Sequence, residues 1–136
     1  MIRLGFVLAL LASSAFASVD SAKMVETIRL VENSTTPGKA GEQGPWQILP
    51  SVWRQYSRTH VSWASSKRPE CVAEQKRVAA THIAWIRSQL VKMNLPDTPH
   101  SIALVWCAGL ENVRRGKLSD GKRDYADRAA NIYGTL

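Results

Sequence analysis

The sequence predicts a mainly α, single-domain protein with one short irregular loop or β-hairpin between its first two helices. Three observations lead there. Apolar residues recur at helical spacing in several separate stretches. Short clusters of Gly, Pro, Asn and Ser divide those stretches, and no long linker, internal repeat or low-complexity tract interrupts them. The 136 residues also have room for one core and not for two.

The first 17 residues stand apart from that domain. Met1-Ile2-Arg3 is a short positive start, Leu4 through Ala12 an apolar run, and Ala15-Phe16-Ala17 a small-residue cleavage pattern, together reading as a secretory signal. The run is shorter than the ~20 residues a stable bilayer anchor needs. No cysteine precedes Cys71, so a lipid-anchored form lacks its attachment residue. The expectation is a periplasmic or secreted chain of about 119 residues, starting at Ser18 and without an integral membrane segment.

Within 18–136 the elements follow in order. A first helix runs from about Ser21 to Glu32, with Met24, Val25, Ile28 and Val31 on one face and Asn33-Ser34-Thr35-Thr36-Pro37-Gly38 as its stop. Three glycines and a proline between Gly38 and Ile48 break any helix there. Pro50 and Ser51 open a short helix carrying Val52, Trp53 and Tyr56, and a polar stretch follows from about Ser62 to Pro69. The longest periodic segment places Val72, Ala79, Ile83, Ile86, Leu90 and Met93 on one stripe and Val78, His82 and Trp85 beside it. Apolar groups on two faces mark this as the central helix, with Trp53 and Trp85 in the core. Thr98-Pro99 then caps and opens an apolar helix that Gly109 closes, and a last helix runs from about Asp120 to Tyr133, burying Tyr125, Ala129, Ile132 and Tyr133.

Glu32 carries the first chemical signal. It lies four residues after Ile28 and seven after Val25, so its carboxyl shares the apolar face of the first helix. Burial disfavours its charged form, which holds the proton to a higher pH, as a general acid working near neutrality requires.

Other residue types suggest less. The formal charge of +7 favours contact with anionic polymers such as cell-wall glycan, nucleic acid or acidic lipid, or simply keeps the protein in solution. No nucleic-acid recognition motif or arginine-rich helix accompanies it. Cys71 and Cys107 either pair in an oxidising compartment, closing a loop of ~36 residues worth ~3 to 4 kcal/mol, or remain separate buried thiols. His60, His82 and His100 have no metal-ligand spacing, and no nucleophile signature surrounds Cys107, which argues against a metal centre or a thiol hydrolase. No cofactor is implied.

Three segments then resemble a known family. Ile28-Arg29-Leu30-Val31-Glu32-Asn33-Ser34 is similar to the helix end and serine-rich turn around the catalytic glutamate of the lysozyme-like lytic transglycosylases, with goose-type lysozymes as more distant relatives. Gly44-Pro45-Trp46-Gln47-Ile48-Leu49-Pro50-Ser51-Val52-Trp53 is similar to the family's glycine, apolar pair, glutamine, apolar motif and the helix after it. Ala103-Leu104-Val105-Trp106-Cys107-Ala108-Gly109, with Asp124-Tyr125-Ala126 and Tyr133, is similar to its aromatic, asparagine, alanine, glycine motif and closing helix. The three stand in the family's order and span nearly the whole domain.

The resemblance implies a lysozyme-like fold and cleavage of peptidoglycan glycan strands, with cell-envelope machinery as a further possible partner. Glu32 would protonate the glycosidic oxygen and then act as base on the muramic 6-hydroxyl, closing a 1,6-anhydro ring. Ser34 belongs to the matching turn, Gln47 would bond substrate or position its loop, and Ile48 completes the motif. Trp46 and Trp106 would offer faces to sugar rings, core packing being the rival role for each. Tyr125 would set its hydroxyl near Glu32, and Ala108 and Gly109 would leave space where a larger side chain blocks the groove. Retaining glycosidases usually pair the acid with a second carboxylate. Here Glu42, alone between Glu32 and Ile48 and directly in the motif loop, is the rival acid. A loop position leaves it solvated, and its other reading is a surface or loop-bracing carboxylate, so Glu32 is favoured and one carboxyl would serve both steps. Cys107 departs from the family's asparagine and lacks the amide's two functions. The alternatives are a hydrolytic muramidase and a peptidoglycan-binding protein with weak catalysis.

Overall fold

A computed structural model describes residues 17–34 and 36–136. The expected signal segment, apart from Ala17, lies outside the described residues, as does Thr35. The protein is mainly helical. Its elements are α1 (Ser21–Glu32), α2 (Pro50–Tyr56), a 3-10 helix (Val61–Ser65), α3 (Pro69–Lys92), α4 (Pro99–Ala108), α5 (Leu110–Arg115) and α6 (Asp120–Thr135).

α1 begins at a real cap, since the Asp20 carboxylate accepts from the Lys23 N–H at 2.9 Å. Met24, Val25, Ile28 and Val31 are all buried, as their spacing predicts. Asn33 adopts a left-handed conformation at φ +39°, which ends the helix immediately after Glu32. The helix therefore delivers its carboxylate at the point where the chain turns away.

The following loop carries one antiparallel bridge and no strand among the described residues. Gln43 and Ile48 exchange two backbone hydrogen bonds of 2.9 Å. Between them Gly44 sits at φ +74°, and a Cβ there would lie 1.9 Å from the Ala64 carbonyl oxygen, so only glycine fits against the 3-10 helix. Trp46 fastens the loop to α1: its ring is 1 % exposed and its indole N–H donates to the Val25 carbonyl at 2.9 Å.

α3 is the central helix, touching α1, α2, the 3-10 helix and α4. Val78, Ala79, Ile83, Ile86 and Leu90 form its buried face, while Val72 and Met93 at its ends are half-buried. The stretch read as merely polar contains the 3-10 helix, because buried Ala64 and partly buried Trp63 pack on the core. Gln75 of α3 holds that segment through bonds from its amide N–H to the carbonyls of Trp63 at 2.6 Å and Ser66 at 2.8 Å. Trp53 is wholly buried, as expected. Trp85 is not: it is 37 % exposed, because the buried stripe turns the ring towards the edge of α3, where it stacks on His82.

α4 and α6 pack on each other, and α6 also lies along α1. The Tyr133 hydroxyl accepts from the Asp20 N–H at 2.9 Å, tying the last helix to the start of the first. In α6, Ala126 and Ala129 are buried, whereas Tyr125, Ile132 and Tyr133 are only half-buried. Gly109 ends α4 at φ +83°, but α5 begins at once. Both cysteines are free thiols. Cys71 lies in the first turn of α3 near Arg68, and Cys107 lies in the last turn of α4 beside Leu104 and Lys122. Among the described residues no helix is long and apolar enough to cross a membrane.

Candidate active site

The end of α1, the loop after it, the end of α4 and the first turns of α6 enclose a cavity of about 210 Å³, lined by Glu32, Glu42, Gln47, Leu49, Trp106, Cys107, Lys122 and Tyr125. α1 supplies the acid, and α6 supplies its nearest partner. The Tyr125 hydroxyl donates to Glu32 Oε1 at 2.7 Å, joining residues 93 positions apart in the chain.

Burial raises the pKa of Glu32 above the ordinary carboxylate value, and the neighbouring charge of Glu42 pushes the same way. The hydrogen bond from Tyr125, the indole of Trp106 and the charge of Lys122 oppose that rise without cancelling it. Tyr125 itself stays a neutral donor, its pKa raised by burial and by Glu32. A carboxyl whose pKa is raised and which faces a donor suited to its anion has the two properties that a reversible proton carrier needs.

Gln47 stands at the rim in a left-handed conformation, φ +48°. Its amide N–H bonds the carbonyls of Thr36 at 3.0 Å and Gly44 at 2.9 Å, so it braces the loop that forms one wall. Trp106 is half-buried and presents part of its ring to the cavity. Cys107 beside it is held protonated, since burial raises its pKa to about 11. Lys122 spans the opening, its ammonium donating to the Cys107 carbonyl at 2.6 Å.

The remaining expected residues fall elsewhere. Trp46 has its face in the core and no ring surface for a ligand. Ile48 is 2 % exposed and supports the floor of a small adjoining cavity. Ser34 caps its own turn, exchanging hydrogen bonds with the Thr36 backbone at 3.2 and 3.4 Å. The Ala108 carbonyl accepts from the Asn112 side chain at 2.8 Å, inside the α4–α5 corner. Gly109 sits at φ +83°, and a Cβ there would meet no protein atom within 4 Å, so the backbone conformation is what favours glycine at this position.

Glu42, Leu49 and Lys122 also line the cavity, although none of them was an expected site residue. Glu42 does brace its loop, accepting from the Ala40 N–H at 3.0 Å, yet it also lines the cavity with Glu32. Lys122 had a usable signal, since it precedes Tyr125 by three residues and therefore shares its helix face. No group of three or more His, Cys, Asp or Glu among the described residues could hold a metal ion. Searches of protein-family models, of curated proteins and of solved structures find no match to this chain.

Proposed function

We propose that this protein is an exported, lysozyme-like enzyme that cleaves the β-1,4 bond between muramic acid and glucosamine in peptidoglycan, by the transglycosylase route, with Glu32 as acid and then base. The observation that carries the reading is the Glu32–Tyr125 pair: a carboxyl of raised pKa, bonded to a neutral phenol, on a cavity with a tryptophan wall.

The chemistry follows from that pair. Protonated Glu32 gives its proton to the bridging oxygen as the C–O bond to the departing sugar breaks, and the 2-acetamido oxygen of the muramic residue stabilises C1. The carboxylate left behind is eased by the Tyr125 hydrogen bond, which strengthens when its acceptor is charged. Glu32 then takes the proton of the muramic 6-hydroxyl as that oxygen closes on C1, and the carboxyl returns to its starting state. Gln47 holds the loop in place, and Trp106 offers an apolar face to a ring.

Glu42 favours a second reading, hydrolysis. A second carboxylate on the same cavity could orient or deprotonate a water molecule in place of the internal hydroxyl. Mass spectrometry of digested cell wall separates the two. Products one water lighter than hydrolytic ones support the transglycosylase, and reducing muramic ends reject it. Zymography in which wild type clears peptidoglycan and Glu32→Gln does not supports cleavage at this site, and failure of the wild type to clear rejects turnover.

A further inference from the structure

The cavity at Glu32 is smaller than the usual 300–1,000 Å³ of a small-molecule site, so a polymer reacting there must lie mostly on the surface outside it. One direction is marked by aromatic rings. Trp106 is shared with a second cavity of about 20 Å³, whose other walls include Gln47, Leu49, Val52 and His82. The His82 ring meets Trp106 edge-on at 5.3 Å between centroids, and the Trp85 indole stacks on the same imidazole at 5.6 Å and 7°. Ring contacts thus connect Trp106, on the cavity of the acid, through His82 to the exposed Trp85.

The exposed end of that connection is unlike core packing. Trp85 is one of few large apolar side chains that are exposed, and an exposed ring held flat by a second ring is a preorganised face. These rings are also uncharged. Burial lowers the His82 pKa to about 4, so the imidazole is neutral at neutral pH, and its Nδ1 is buried without a hydrogen-bond partner. Trp85's neighbours one turn away on α3, Thr81, His82, Ser88 and Gln89, carry no formal charge either, in a chain of net charge +7. A neutral aromatic face flanked by hydroxyl and amide groups suits the face of a pyranose ring and does not suit a phosphate or another anion.

We propose that Trp85, backed by His82, is a distal platform that stacks one N-acetylated sugar ring of the glycan strand reacting at Glu32. This rests on the glycan reading above, but requires binding and not turnover. The strand would run from Tyr125 past Trp106 to Trp85, and a short oligosaccharide seated at Glu32 would not reach the outer ring.

The test is calorimetric titration of the Glu32→Gln protein with N-acetylglucosamine oligomers of increasing length, with and without Trp85→Ala or Trp85→Phe. The expected result is that Trp85→Ala weakens the longest oligomer about tenfold, the scale of one lost aromatic stack. The shortest oligomer that binds should be unchanged, and Trp85→Phe should retain most of the affinity. Equal weakening of short and long oligomers, or no weakening, overturns the platform. If wild type clears cell wall while Trp85→Ala binds all lengths normally, the platform fails and the enzyme stands. If wild type clears nothing but binds long oligomers through Trp85, the platform stands and turnover fails. A Trp85→Ala melting temperature equal to the parent's assigns the loss to the missing face.

Discussion

Glu32 and Glu42 line the same cavity from opposite kinds of backbone, and the difference gives their carboxyls different surroundings. Glu32 ends a helix whose apolar face is buried, so its carboxyl is drawn partly into the protein and its pKa is raised. Glu42 sits in a loop between Gly41 and Gln43, with its carboxylate taken by the Ala40 N–H, and its charge acts on Glu32 from across the cavity. Two identical side chains thus meet different surroundings, one half-buried with a raised pKa and one tied to its own loop. The elements that carry them set that difference.

The largest effect should come from removing the acid. Glu32→Gln is expected to lower cell-wall clearing by about 10²- to 10⁴-fold, the usual contribution of a positioned acid–base group, as read by turbidity loss of purified peptidoglycan. The same substitution should raise the melting temperature near neutral pH. The sign follows from the raised pKa: folding takes up a proton or holds a costly charge above the ordinary carboxylate range, and neither applies below it. The gain should therefore vanish at low pH, where Glu32 is protonated in both folded and unfolded chains. Equal gains at both pH values would show that Glu32 is not held protonated.

Next in size is the anchor that holds Glu42's loop to α1. Trp46→Ala removes a buried ring and the hydrogen bond to Val25, and should cost about 3–5 kcal/mol of stability in a denaturant titration. A loss below about 1 kcal/mol would mean that the loop is not fixed by this contact.

Glu42→Gln should lower clearing by less than about tenfold, since a fixed charge contributes less than a proton carrier. A loss equal to that of Glu32→Gln would make Glu42 a partner in the chemistry and favour hydrolysis. The smallest effects are expected in pH profiles. Glu42→Gln removes a charge that raises the Glu32 pKa, so the loss of activity at rising pH should begin at lower pH. Tyr125→Phe removes a hydrogen bond that favours the anion, so that limb should move to higher pH. Shifts in the same direction would contradict the opposing roles assigned to the two residues.

Much of the scaffold was readable in the sequence because local rules decide it. Met24, Val25, Ile28 and Val31 set the buried face of α1, and Asn33 after them sets its end. Thr98-Pro99 and Gly109 bound α4 in the same way. The tryptophans were harder, because periodicity places a ring on a face but does not say what covers it. Trp46 and Ile48 carry the matching motif yet face the core, while Trp85, on a helix with two apolar faces, reaches solvent. The two cysteines raised a question of distance that spacing could not answer, and the fold keeps them as free thiols on different helices.

By itself the sequence determined that this is a helical protein, where most helices begin and end, and that Glu32 shares an apolar face, since each depends on contacts within a few residues. Only the tertiary structure decided which groups surround that acid. Tyr125 reaches it across 93 positions, Glu42 enters the same cavity, and His82 of α3 brings Trp85 and, from α4, Trp106 into ring contact. The burial that raises the Glu32 pKa is a property of packed neighbours, and Tyr125 joins them only when the first and last helices are brought together.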